Sequence, residues 1–231
     1  MTYYAPPPRH PQVIAEVSNL GSVAMALIGV STVGHLIGVL TSWRGFSNIS
    51  NHLQYSPGYT YGDMLADQPS GTSLTRFTTI AAAVLFLIWL RNARRNAERF
   101  HPAQHRADSN WVVLGWFCPG ANFVFPYQVV DDIWRTSDPA APPGVARARD
   151  LPGSRLVLLW WVTWTATISL WVIGFIVAVT DLSTETYRLT LILDSAAAVL
   201  CCFAAVFVIQ VIRQISRWQT TPRPPMPPRW Q

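Results

Sequence analysis

The chain contains no lysine; all seventeen of its basic residues are arginine. Charge of either sign is scarce, at 13% of residues, where an ordinary soluble domain carries about 25%. Half of the residues are hydrophobic. A chain of 231 residues cannot hide that much apolar surface in one aqueous core. These shortages exclude an ordinary water-soluble fold and imply one that faces lipid. Cysteine is nearly absent: Cys118, Cys201 and Cys202 offer neither a disulfide framework nor a metal-ligand spacing. There is no glycine-rich phosphate loop, and no Ser/His/Asp or Cys/His pattern of a nucleophile. No catalytic residue is therefore assigned, and the reading leans away from an enzyme. No cofactor or metal is expected either. His101 and His105 lie four apart across Pro102, with no further zinc ligand in view. The arginines sit in loops beside apolar runs, which points to orientation and anionic lipid, not to nucleic acid.

What the sequence does have is long apolar runs. Leu20 to Leu40 holds no Asp, Glu or Arg, and about 20 residues suffice for a helix to cross the hydrocarbon. Four spans are expected, at about 20–43, 74–90, 156–180 and 189–212. They make a membrane domain over residues 19–214, flanked by disordered proline-rich tails at 1–18 and 215–231. A polar loop over 44–73 carries Asp63 and Asp67, and a short turn carries Asp181 and Glu185.

Residues 111–135 interrupt this pattern. Pro119-Gly120 and Pro126 break an apolar stretch, and a proline removes a helix hydrogen bond and clashes with the turn before it. A short helix can restart with Pro126 in its first turn. On it Tyr127, Val130 and Trp134 share a face, with Asp131, Asp132 and Arg135 off that face. The segment reads as an interfacial or shallow re-entrant element between spans two and three. The fold class expected is all-α, an integral membrane four-helix bundle with this proline-broken cytoplasmic element.

Arginine counting orients the chain. With four spans and both termini cytoplasmic, fourteen arginines lie inside and three outside, Arg44, Arg76 and Arg188. A fifth crossing through 111–130 would give seven inside and ten outside. The positive-inside rule rejects that arrangement.

Two ionisable residues fall within spans, His35 and Asp194. Counted from Trp43 and Tyr187, each lies roughly 11–12 Å below the outer boundary. Small and polar residues flank both, and Gly34 and Gly38 make a G-x-x-x-G. The two are expected to form an intramembrane pair. That pair either fixes packing, at about 0.6–2 kcal/mol, or serves a proton- or ligand-linked role. Arg91, Arg94, Arg95 and Arg99 share a helical face after the second span, a surface for anionic headgroups or a partner. Asp131-Asp132 admits a Mg²⁺–diphosphate reading, although no second acidic motif supports it.

The stretch Trp89 to Ala97, then Gly115-Trp116-Phe117-Cys118-Pro119-Gly120-Ala121-Asn122 on to Pro126-Tyr127 and Trp134-Arg135, with Trp160-Trp161 beyond, resembles a family. That family of mostly actinobacterial membrane proteins is catalogued as domain of unknown function 4328. Its core pattern is W-F-x-P-x-x-N-x-x-x-P-Y-x-x-x-x-x-x-W, matched by Trp116, Pro119, Asn122, Pro126, Tyr127 and Trp134. Cys118 and Gly120 stand where the family more often has aliphatic residues. The resemblance implies a bacterial plasma membrane and no particular reaction. Asn122 is expected to satisfy backbone groups freed by the break.

Three functions stay open. The leading one is a non-enzymatic membrane module that binds a membrane-protein partner or anionic lipid headgroups. The second is a small transporter or proton-linked permease using His35 and Asp194. The third is an interfacial lipid-modifying enzyme using Asp131 and Asp132.

Overall fold

The computed structural model describes residues 11–53, 71–180 and 183–221. Residues 1–10 and 222–231 of the expected tails, residues 54–70 with Asp63 and Asp67, and Asp181 lie outside the described residues.

The architecture is all-α. In chain order the helices are α1 (Pro11–Leu53), α2 (Gly71–Phe100), α3 (Trp111–Leu114), α4 (Phe125–Ser137), α5 (Arg155–Thr180) and α6 (Thr184–Thr220). Single 3-10 turns stand at Ala121–Phe123 and Ala148–Asp150. Among the described residues there is no strand, only an isolated bridge between Gln104 and Arg147. Four helices are long and apolar enough to cross a membrane, over Glu16–Asn48, Ser73–Phe100, Arg155–Thr180 and Glu185–Thr220.

The chain forms two compact units. One comprises residues 24–53, 71–84, 155–180 and 183–210, the apolar lengths of all four long helices. Its surface is made of large apolar side chains, among them Phe77, Phe175, Leu74 and Phe203. Many of its buried positions on α6 are small, Ala197, Ala198, Ala204 and Ala205 among them, beside the larger Tyr187, Leu191 and Val208. Small inside and large outside is the arrangement that suits lipid, because close packing and not hydrophobicity holds helices together there. The hydroxyls of this unit need no water. On α5, Thr163, Thr165, Thr167 and Ser169 each donate to the carbonyl four residues back, all at 2.8 Å.

The other unit comprises residues 11–23, 85–154 and 211–221. It is the ends of three long helices and the whole connector between α2 and α5. Trp89, Leu90, Val129, Ile133, Ile212 and Ile215 are fully buried in it. Here the helices outrun the spans the sequence suggests. The expected disorder over 1–18 and 215–231 is corrected at both inner edges: α1 starts at Pro11 and α6 runs to Thr220. The cause is packing. Val17 is fully buried. A Cβ on Gly21 would stand 3.0 Å from Ser216 and 3.1 Å from Trp89. Trp89 Nε1 donates to Ser216 Oγ at 3.1 Å, and Trp134 meets Trp218 edge-on at 4.7 Å. Hydropathy marks only the apolar length of a helix, and these ends are held by protein.

Candidate functional site

The connector is built around a break and a charge cluster. α3 is one turn long and closes at Gly115, where a Cβ would meet the Trp111 carbonyl at 2.7 Å and Phe125 at 2.9 Å. That close approach lets Trp111 stack on Phe125, ring centroids 4.2 Å apart. Gly120 takes a φ of 80°, the left-handed region that costs a side chain dearly, between Pro119 and the 3-10 turn. α4 then starts with Pro126 in its first turn. Around the break Leu114, Phe117, Phe123 and Val124 are left exposed, with Phe117 at 71%.

Asp131 and Asp132 on α4 are both 0% exposed. Asp132 accepts from the backbone N–H of Arg106 at 2.7 Å and from its Nε at 2.8 Å. Asp131 Oδ2 accepts from Arg106 Nη2 at 2.6 Å and from Arg135 Nε at 2.8 Å. Arg135 Nη1 also donates to the carbonyls of Arg149 and Leu151, tying the second half of the connector to α4. Asp131 and Asp132 lie off the face of Tyr127, Val130 and Trp134, yet that position does not put them in water. Both carboxylates are inside, and two guanidiniums neutralise them. They present no open face to a Mg²⁺–diphosphate, so the interfacial-enzyme reading loses its site. Burial alone would lower the pKa of Arg106; Asp132 and then Asp131 outweigh it and hold it above its ordinary value. The Tyr127 hydroxyl is pushed up, by burial first and by Asp131 second.

The arginine stripe divides. Arg91, Arg95 and Arg99 are exposed on α2, with no ion pair to them among the described residues. Arg94 is only 4% exposed and is corrected out of that surface. Its Nε donates to Glu98 at 2.7 Å and its Nη2 to the Ala107 carbonyl at 2.9 Å. Asn96 and Gln219 extend the buried polar network. Gln219 Nε2 donates to the Ala93 carbonyl at 2.9 Å and to Ser137 Oγ at 2.8 Å. Asn96 Nδ2 donates to Gln219 Oε1 at 3.3 Å.

The two histidines serve different ends. His101 Nδ1 accepts from the Ala103 N–H at 3.1 Å, and its Nε2 stands 3.1 Å from the Pro142 carbonyl. Those partners fix its tautomer and leave no lone pair for a metal. His105 sits 3.4 Å from Thr136 Oγ1 and has a pKa lowered to about 3, by burial first and then by Arg94, Arg106 and His101. No group of three or more metal-capable side chains gathers among the described residues.

The motif residues fall on this connector. Trp116 meets Phe86 edge-on at 5.7 Å, Pro126 is buried at the start of α4, and Trp134 packs on Trp218. The family model described as Domain of unknown function (DUF4328) matches residues 67–217, more than half of the chain. The chain belongs to that family. No curated protein and no solved structure matches it. In this DUF4328 member the expected capping role of Asn122 is not what the structure shows. The backbone N–H of Asn122 donates to the Cys118 carbonyl at 3.0 Å, whereas its buried side-chain Oδ1 has no partner among the described residues.

In the apolar unit, His35 and Asp194 line one cavity of about 710 Å³ with Thr75, Trp171 and Gly38. They share that cavity without closing an ion pair within 4.0 Å. His35 Nε2 instead stands 3.2 Å from Thr79 Oγ1, and its ring lies 5.1 Å from that of Trp171. Of the two glycines in G-x-x-x-G, only Gly34 makes a close approach: a Cβ there would lie 2.7 Å from Thr75 Oγ1, and one on Gly38 would meet nothing. Sequence reasoning missed Arg106, Thr136 and Gln219. Only the Asp131–Arg135 link was visible, as an i,i+4 spacing. Arg106 is 25 residues from Asp131 and carries no local signal.

Proposed function

We propose that this DUF4328 protein is a non-enzymatic module of the bacterial plasma membrane, both termini cytoplasmic, that binds anionic lipid headgroups through Arg91, Arg95 and Arg99. The observation that carries the reading is the exposure of these three arginines, unpaired among the described residues, on the last turns of α2 just after its apolar length ends at the buried Leu90. Basic side chains at the cytoplasmic edge of a span each gain about 1 kcal/mol from an anionic leaflet. The exposed apolar edge of Leu114, Phe117, Phe123 and Val124 suits the acyl boundary beside them. The test is native mass spectrometry of the protein purified with mixed phosphatidylglycerol and phosphatidylcholine. The wild type should retain phosphatidylglycerol in preference, and R91Q/R95Q/R99Q should lose the preference. Equal retention by both overturns the reading. A membrane-protein partner that copurifies in fixed proportion, and is lost in the same variant, would move the arginine face from lipid to protein.

A second reading is favoured by one observation: Asp194 lines the 710 Å³ cavity beside His35 and has no hydrogen bond or ion pair among the described residues. A carboxyl held in that way suits a proton-linked permease. Proton-coupled solute uptake into vesicles, abolished by Asp194→Asn, would support it, and no flux in the wild type would remove it.

A further inference from the structure

The connector carries a second cavity, open to solvent and of about 550 Å³, that the readings above do not use. Arg94, Glu98, His101, His105 and Arg106 stand on its wall, and the stacked Trp111 and Phe125 form an apolar side. The volume lies in the range of small-molecule sites, about 300–1,000 Å³, well above the roughly 30 Å³ share of one water.

Two buried polar atoms in this wall have no partner among the described residues: Arg94 Nη1 and His105 Nδ1. Arg94 spends its other donors on Glu98 and Ala107 and holds Nη1 in reserve. An unpartnered donor on a guanidinium only 4% exposed is costly unless something accepts from it. His105 supplies the complementary group. Thr136 Oγ1 donates to the Asp132 carbonyl at 2.6 Å. It must therefore accept from His105, which puts the ring proton on Nε2 and leaves Nδ1 as an acceptor. A ligand satisfying both atoms presents an anionic oxygen to Arg94 and a hydroxyl hydrogen to His105. A phosphate with one P–OH has both on a single phosphorus. A carboxylate or a phosphodiester has only the first.

We propose that the connector cavity binds a phosphate group carrying a P–OH, as inorganic phosphate or a phosphomonoester, held by Arg94 Nη1 and by His105 Nδ1. Arg106, neutralised by Asp131 and Asp132, shapes the wall without adding free charge. Trp111 and Phe125 pack against whatever the phosphate carries. The lining is distinct from the exposed Arg91, Arg95 and Arg99, so the two proposals fail separately.

The test uses the full chain in phosphatidylcholine nanodiscs. Calorimetric titration at pH 6, where about half of a phosphomonoester keeps its second proton, with inorganic phosphate and with glycerol 3-phosphate should show saturable one-to-one binding. Sulfate, of the same shape but without a proton at neutral pH, should bind about tenfold or more weakly, as loss of one hydrogen bond to a charged group requires. Arg94→Gln and His105→Gln should each weaken phosphate by a similar factor, whereas R91Q/R95Q/R99Q should not. Because Arg94 also anchors Ala107, its variant could fail to fold; His105→Gln then carries the test alone. Phosphatidic acid doped into the discs separates the sources. If it is retained and glycerol 3-phosphate does not displace it, the ligand is a lipid headgroup; displacement, or binding of the soluble phosphates alone, makes it a free phosphomonoester. No saturable binding of any of them to the folded wild type overturns the site. Equal affinity for sulfate, or undiminished affinity in His105→Gln, overturns the choice of phosphate.

Discussion

Asp132 takes two hydrogen bonds from Arg106, one from its backbone N–H at 2.7 Å and one from its Nε at 2.8 Å. A single carboxylate thus fixes both the main chain and the side chain of a residue 26 positions earlier. Removing Asp132 leaves the Arg106 backbone N–H without its acceptor and its guanidinium with Asp131 alone. Asp132→Ala should cost about 1–3 kcal/mol, the usual cost of leaving a buried donor unsatisfied. Thermal unfolding in detergent would show it as a large fall in Tm. The same transition should not respond to Mg²⁺ or to EDTA, since both carboxylates are already committed to guanidiniums. A metal-dependent Tm would restore the diphosphate reading of Asp131 and Asp132.

The two glycines of the first span should behave oppositely. A Cβ on Gly34 would stand 2.7 Å from Thr75 Oγ1 and 3.1 Å from its Cγ2. Thr75 is β-branched and stiff at χ1, so the helices must part. Gly34→Ala should destabilise by about 1–3 kcal/mol. Gly38→Ala meets open space and should be neutral or slightly stabilising, because it removes a glycine from a helix interior. Equal effects at both positions, in a denaturation assay, would mean that the pair acts as a packing motif after all.

These contrasts mark where sequence reading succeeds. The four spans were legible because a charge-free run of about 20 residues has few alternatives to lipid. The break at Pro119-Gly120 was legible because proline and glycine act locally. Burial by partners far along the chain was not. Arg91, Arg94, Arg95 and Arg99 share a face by spacing, yet Arg94 lies about 60° round the helix from Arg91, toward the side of Leu90 and Ala97. Both of those residues are fully buried, and Arg94 goes in with them. Val17, Trp89 and Ile215 show the same limit. By hydropathy each reads as a tail or the edge of a span, yet all three are fully buried, where Gly21 of one end closely approaches Trp89 and Ser216. His35 and Asp194, paired by counting residues from the span ends, do line one cavity. A period count could not supply Thr79 as the nearer partner of His35.

Gln219 tests the corrected C-terminal boundary. Its side chain is fully buried and donates to Ala93 and Ser137, drawing together α6, α2 and α4. Gln219→Leu keeps most of the volume and leaves Ser137 and Asn96 short of partners. It should cost about 1–3 kcal/mol. Deleting residues from 215 onward removes Ile215 as well, and should open the connector to limited proteolysis. If the truncated chain resisted protease like the full one, the end of α6 would be a tail as hydropathy suggests.

His105 gives the connector a pH dependence whose sign can be worked out. Its folded pKa is lowered from 6.5 to about 3, by burial first and then by Arg94, Arg106 and His101. The unfolded chain therefore binds more protons than the folded one between those values. Stability from this residue is whole above pH 6.5 and falls as the pH drops toward 3, at up to about 1.4 kcal/mol per pH unit. Between pH 7 and pH 5 the wild type should lose roughly 1–2 kcal/mol from this source. His105→Gln cannot take up the proton and should flatten that part of the profile, while starting lower at pH 7 if the Thr136 contact is lost. Chemical denaturation at pH 7, 6 and 5 measures both slopes. Parallel profiles would mean that His105 takes up its proton as readily in the fold as in the unfolded chain, and that burial does not hold it neutral.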